Sequence, residues 1–502
     1  MSPHARVLLS AFCVLLPALR AAAEEIPLRI GATNKLDYRR LDPDDRRDEA
    51  LRNRLEVTAH HGLFTAWVRL ETLQLSDANV YDPFASTEPT TTGGEQQVDR
   101  TEVTRRAVTL DTDRYQVIAG DFTHVYGRGL ALSVFEDEEL NFDNRLEGVR
   151  GRVRHRLGTL TAVAGGRDGD RFRGLFAETR TFGPVRSGAT FVEAWGSGED
   201  TEISDREMHW GGFSEVTLGP ASVYGEYVLR DFRGRDGVGL VGTEGHGGFV
   251  SALASLGSLT VSGEVRDMYR FEHGYNDPPT SLKQHPWTLL SREAGQAIQD
   301  IPDDDVKGYL GEAEYAAGLF TAFSASIGRV DADASDDSFW EAYGEAKTTW
   351  QEKAFFTAAA AESEFRIGTL FEERIGGFGE IVLDLDGTNS LTFGMEWMEA
   401  RSSSSVTQDF EFPEEFHERI FSVSWGRSPW LQLTATYEES SEEDTGEPRD
   451  DWLSFLAEIA VADGHDVQLS YGSERGGWKC TGGVCFFEPE FEGLKVKWVG
   501  RY

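Results

Sequence analysis

The last nine residues, Leu494 to Tyr502, alternate in character along the chain. Leu494, Val496, Trp498, Gly500 and Tyr502 fall on one face of an extended strand, and Lys495, Lys497, Val499 and Arg501 on the other, because strand side chains change sides with a period of two. A strand apolar on one side, cationic on the other and closed by an aromatic suits a barrel wall with lipid outside and water inside. It equally suits an amphipathic edge strand of a soluble sheet, so the remaining chain has to decide.

The same alternation recurs. Leu51, Asn53, Leu55, Val57 and Ala59 interleave with Arg52, Arg54, Glu56 and Thr58. A turn at His60-His61-Gly62 follows, and the return strand sets Phe64, Ala66, Val68 and Leu70 against Thr65, Trp67, Arg69 and Glu71. Comparable short turns stand at Asp111 to Asp113, Leu157-Gly158, Leu218 to Pro220, Ala317-Gly318, Asp386-Gly387 and Ala462 to Gly464. Between these hairpins lie longer polar stretches: Ser76 to Arg100, Arg230 to Gly245, Glu272 to Asp305 and Arg401 to Glu415. Short turns at one rim and long loops at the other are the pattern of an up-and-down transmembrane barrel, whereas a propeller or sandwich has no reason to sort its connections by length. The expected fold is all-β: one antiparallel transmembrane β-barrel of about 24 strands, within about 20–26, with short periplasmic turns and long extracellular loops. The count is least certain over Ala354 to Ile375. No stretch is left for a large N-terminal plug domain, since strand-like sequence begins at Pro27 to Leu36.

Composition changes this picture little. A mean hydropathy of -0.40 argues against helical membrane spans, but a barrel strand gives every second residue to a polar lumen. Residues 1–23 read as a secretory signal: Arg6, an apolar run from Val7 to Leu19, and Ala21-Ala22-Ala23 as the cleavage site. Residues 24–502 are then one barrel domain. Loss of Arg6 and Arg20 leaves 47 basic against 86 acidic residues, a net charge of -39, which argues against nucleic acid as a partner. The acids gather at Asp42 to Glu49, Asp300 to Asp305, Asp331 to Asp337 and Glu438 to Asp451. They read as solvated loop tips, and none has EF-hand spacing. Of the cysteines only Cys480 and Cys485 survive cleavage, and Gly482-Gly483 between them permits the tight turn that a disulfide needs. In an exported chain that pairing is preferred to metal binding, for which no histidine stands nearby.

Candidate chemistry lies on the inward faces. Arg150, Arg152 and Arg154 share one face of a strand, as do Arg52 and Arg54 of another. They could form a cationic track that guides solutes, or pair with lumenal acids such as Glu56, Glu71 and Glu147 to brace the wall. Gly127-Arg128-Gly129, followed by the acids of Glu136 to Glu139, could fold inward as a constriction or remain an outer loop. Histidines are few and none sits in a hydrolase or metalloprotease motif, so no catalytic residue, cofactor or metal site is expected and the reading is not an enzyme.

Three stretches carry a resemblance. They are Gly120 to Leu132 with Asp143 to Gly148, Tyr275 to Thr280 running to Leu289 to Arg292, and Cys480 to Cys485. Together they resemble an uncharacterised family of Gram-negative outer-membrane barrels known by a domain of unknown function, DUF6029. The ending, through Leu494, Val496, Trp498 and Tyr502, is similar to the signal that such barrels present to their assembly machinery. The resemblance implies an outer-membrane location, with lipid and the barrel-assembly machinery as partners, and brings no reaction or substrate. The expected function is a passive pore or transporter for an unidentified solute. The alternative is a non-conducting surface barrel that binds or braces through its loops, recognisable by a lumen filled with side chains or an inserted loop.

Overall fold

The computed structural model describes residues 27–41, 48–76, 99–138, 142–167, 169–196, 206–236, 239–271, 275–276, 281–301, 305–404, 414–442, 450–481 and 484–502. The signal segment, most of the loop before Arg100 and most of the first acidic cluster lie outside these residues.

Twenty-four antiparallel strands form one sheet that closes on itself. The last, Phe491–Arg501, pairs with its neighbour His465–Glu474 on one side and with the first strand, Arg29–Leu41, on the other. The closing register runs from Thr33↔Arg501 to Leu41↔Gly493, so the opening strand is longer than expected and its paired part lies further along. Closure leaves no free sheet edge, which is what lets strands cross lipid with every backbone group satisfied. The uncertain middle consists of Ala354–Ile367 and Leu370–Asp384, in register along their length. Among the described residues no helix is long and apolar enough to cross a membrane; this chain crosses with strands.

Alternation fixes the two faces. Val68, Leu70, Val117, Val149, Leu175 and Val250 stand exposed on the outside, while Arg52, Arg69, Thr109, Thr161 and Glu226 are buried on the inside. Tyr115, Tyr315, Trp350 and Trp430 are exposed near the rim of short turns, where aromatic rings meet the membrane interface. That rim also carries the start of the first strand, Arg29, and the end of the last, Arg501.

Four expectations change. Arg230 to Gly245 is not a loop but the top of a long hairpin, Ala221–Asp236 with Gly239–Leu256, paired out to Asp236↔Gly239. Beyond the membrane both strand faces meet water, so alternation is no longer required and its signal vanishes. Arg401 likewise continues a strand, Asn389–Ser404, while 405–413 lie outside the described residues. Length sorting is also incomplete, since at the far rim strands pair right up to their connections at Arg167↔Asp170 and Ile367↔Leu370. The stretch Glu272 to Asp305, expected as loop, contains a helix, Thr288–Asp300.

The buried core lies inside the barrel. It is built where segments leaving the far rim fold back into the lumen. The first, residues 123–145, follows the shortest wall strand, Tyr115–Phe122, and makes two small ladders, His124–Val125 with Ser133–Val134 and Glu136–Asp137 with Phe142–Asp143. Its Leu130, Ala131, Leu132 and Val134 are wholly buried against wall residues such as Phe172, Val192, Val228 and Phe249. The second insert, 270–304, presses Leu289 and Leu290 of its helix against Tyr343, Phe378, Met398 and Ile420 of the wall. The third is a hairpin, Gly477–Thr481 with Val484–Glu488.

Candidate functional site

The site is the lumen, with its wall charges and the inserts that meet them. Every arginine read as inward-facing on the wall is inward-facing. Arg52 is buried on the lumenal face, and its neighbour Arg54 donates from Nε to Glu71 at 3.0 Å. Arg150 donates to the Thr123 carbonyl at 2.5 Å and to Gln116 Oε1 at 2.9 Å. Arg152 reaches Thr161 Oγ1 at 3.4 Å, and Arg154 reaches Asp111 at 3.0 Å and the Thr112 carbonyl at 2.8 Å. Of the bracing acids expected from sequence, Glu56 and Glu71 face the lumen. Glu147 does not: it lies exposed on the other face and pairs with Arg106 at 2.7 Å, because its odd position opposes Arg150 on the same strand.

Arg128 lies against the inward face of the wall. Its backbone N–H donates to Glu226 Oε2 at 2.7 Å, and its guanidinium lies over the Tyr224 ring, 5.3 Å from the centroid. Gly127 makes the approach possible: φ is +59° there, and a Cβ would collide with the Glu226 carboxylate. Of the acids that follow, Glu136 and Glu138 turn to other cations, and Glu139 lies outside the described residues. Glu136 and Glu138 both pair with Arg69 of the wall, Glu138 at 2.8 Å, and Glu138 also meets Lys35 and, at 3.7 Å, Arg54. Burial would raise the Glu138 carboxyl, but Lys35, Arg69 and Arg54 hold it below the usual carboxylate range. Arg105 and Arg145 complete this cluster, at 3.9 and 3.3 Å from Glu136.

A second ion cluster ties the other inserts together. Arg475, at the base of the hairpin, pairs with Glu418 and, at 3.2 Å, with Glu442. Arg374 of the wall shares Glu418 at 3.3 Å. Arg292 of the helix pairs with Glu438 of the wall and packs against Gly477 of the hairpin. The first and second inserts meet where the Ser133 N–H donates to the Tyr275 carbonyl at 2.8 Å. The Tyr275 hydroxyl donates to Asp170 at 3.1 Å. Sequence reading missed the helix and the cations Lys35, Arg69, Arg105, Arg145, Arg292, Arg374 and Arg475. The helix has a signal in Leu289, Leu290, Ala294, Ala297 and Ile298, a stripe of helical period. Arg69 stood on a face already read as inward.

Cys480 and Cys485 are direct register partners across the third hairpin; their side chains, and with them the expected disulfide, lie outside the described residues, as do positions 277–280. Leu494, Val496, Trp498 and Tyr502 sit on the outward face of the closing strand, opposite buried Lys495. Among the described residues no group of three or more His, Cys, Asp or Glu could hold a metal ion.

The sequence profile of a family described as "Family of unknown function (DUF6029)" matches residues 7–183 and 440–502. These are the opening strands with the first insert, and the closing strands with the third; the stretches at Tyr275 and Leu289 lie outside the match. No curated protein matches the chain in sequence. Solved structures similar in fold include a copper transporter, OprC, with TM-score 0.49 and 10% identity over 95% of this chain and 80% of that one. The siderophore receptor PirA from Pseudomonas aeruginosa has TM-score 0.46 and 9% identity over 95% and 81%. The translocation pore of the P pilus usher PapC has TM-score 0.41 and 9% identity over 95% and 99%. The chain is a closed 24-stranded transmembrane β-barrel whose two ends match a family of unknown function, DUF6029.

Proposed function

We propose that the protein is an outer-membrane transport barrel that passes a solute when the segments folded into its lumen move aside. The observation that supports this most is the unequal filling of the lumen. The half nearer the far rim is occupied by three inserts, while toward the short-turn rim the inward faces stay polar and only half-buried, as at Arg152, Arg154, Glu264, Thr434 and Gln468. A wall built only for rigidity would have apolar side chains filling that half too. The apolar outer face fits lipid, and the signal-like residues 1–23 fit export to the outer membrane through a cleaved leader, with assembly by the barrel machinery.

Planar-bilayer recording tests the reading. Wild-type protein is expected to conduct poorly, and deletion of the second and third inserts to give stable channels. A folded deletion variant with no conductance above background would overturn it.

The second reading, a non-conducting barrel, draws on one observation. The first insert is not loosely docked but shares a continuous apolar core with the wall, a packing that favours a fixed interior. The same recording separates the two.

A further inference from the structure

The lumen is electrically lopsided. In a chain of net charge -37, the wall on either side of the closing seam presents cations inward: Lys35, Arg54, Arg69 and Arg105 from the first four strands, and Lys495 from the last. Wall carboxylates answer some of them, Glu56 to Arg69 at 3.0 Å and Glu71 to Arg54 at 3.0 Å. The rest of the neutralising charge comes from the inserts. Glu136 and Glu138 of the first insert occupy one guanidinium, Arg69, together, and reach Lys35, Arg54 and Arg105 as well. Glu488 of the third insert meets Lys495 at 3.3 Å, beside Glu474 of the wall at 2.6 Å. The basic strip continues below the insert through Arg150, Arg152 and Arg154, whose acceptors are mostly neutral oxygens, with Asp111 as the carboxylate of Arg154.

We infer that this wall sector is a binding site for a small multivalent anion bearing carboxylate or phosphate groups, and that Glu136 and Glu138 are a tethered substitute for it. A guanidinium recognises the planar two-oxygen face of a carboxylate or phosphate by charge-assisted hydrogen bonds, and Arg69 already holds three carboxylates, those of Glu56, Glu136 and Glu138. Several cations converging from separate strands in a water-poor cavity carry a high cost when unneutralised. The site is therefore filled either by Glu136 and Glu138 or by a ligand that displaces these two side chains, while Leu130 to Val134 keep the insert anchored in the core. Arg150, Arg152 and Arg154 then offer successive cationic positions, two residues apart on one strand face, toward the short-turn rim. This rests on the reading of the inserts as movable, and it names the class of solute: an anion, although the acidic loops alone would favour cations.

The test is calorimetric titration of full-length, detergent-purified protein with citrate and, separately, with pyrophosphate. The E136Q/E138Q variant is expected to bind one of them at least about tenfold more tightly than wild type, a coupling of ordinary size for competing ligands. Adding R69Q and R105Q should remove the gain. Should the double glutamine variant fail to fold, a short Gly-Ser linker in place of 136–142 removes both acids and keeps Asp143, the partner of Arg145 and Arg167. Equal binding by wild type and the variants lacking both acids, or a gain that survives loss of Arg69 and Arg105, overturns the inference. Binding gained without any change in conductance keeps the anion site and defeats only the transport reading. Cation-selective conductance without anion binding keeps transport and defeats the site.

Discussion

Glu396, on the wall strand Asn389–Ser404, accepts the backbone N–H groups of Thr288 and Leu289 at 3.0 and 2.9 Å. The inserted helix thus receives its N-terminal cap from the barrel. Its own N-cap position is Trp287, which makes no side-chain cap and instead donates its indole N–H to Tyr343 at 2.9 Å. A carboxylate at a helix N-terminus satisfies orphan donors and complements the helix dipole. E396A should weaken docking of the helix by about 1–2 kcal/mol without unfolding the barrel. Hydrogen exchange checks this: protection should fall in 288–300 and hold in the wall strands.

Acidity should tighten the same helix. Glu293 is buried on its wall-facing side, bonded to Ser363, and burial pushes its carboxyl up to about 7, against the pull of Arg374 and with Glu341 and Glu372 adding to the rise. A carboxyl raised in the docked state contributes stability that is fully present below its ordinary value of 4.5 and is lost as pH climbs through about 7. Protection factors across 288–300 should therefore drop between about pH 5 and pH 8 by an amount on the order of 1–3 kcal/mol. E293Q should flatten that dependence.

Cys480 and Cys485 occupy one register pair of the third hairpin, a backbone spacing that a disulfide can bridge. Protein isolated from an oxidising envelope should resist alkylation at both thiols until it is reduced. The loop it closes is short, so C480S/C485S should alter thermal stability of the barrel little. Its expected effect is looser packing of the hairpin on Arg292, read as faster exchange at 477–481.

The closing strand has its own test. Tyr502 and Ala32 exchange both backbone hydrogen bonds, at 3.0 and 2.8 Å. His465 stacks on Trp498 at 6.1 Å and meets Tyr502 edge-on at 5.2 Å. Deleting Tyr502, or replacing Trp498 with Ala, should reduce the fraction of protein that reaches the folded, heat-modifiable form on gels. The small amount that does assemble should show unchanged conductance, because these rings face away from the lumen.

How much was legible follows from where each residue meets its environment. In Leu51 to Leu70 one face touches lipid and the other water, so the sequence must alternate, and both strands and their faces could be read directly. At the top of the hairpin Ala221–Asp236 with Gly239–Leu256 the backbone pairing continues, and the sequence carries no alternation to announce it. Arg52, Arg54, Arg150, Arg152 and Arg154 were placed on the lumenal face by parity alone. Glu71 was legible as a lumenal partner and is the one that Arg54 takes, whereas the pairing of Glu136 and Glu138 with Arg69 was not, because they lie far from it in the chain and come to it only through the fold-back at Gly127. The helix was hidden for a related reason. Its few apolar side chains meet barrel residues from Tyr343 to Ile420, which local sequence does not contain.

Each insert begins and ends on the rim opposite the short turns: Phe122 and Leu146, Tyr269 and Asp305, Glu474 and Phe491. Such a segment is a bight of chain rather than a cork. Held at both legs, it stays with the barrel wherever it moves, so Glu136, Glu138 and Arg292 keep a high effective concentration at their wall partners Arg69 and Glu438.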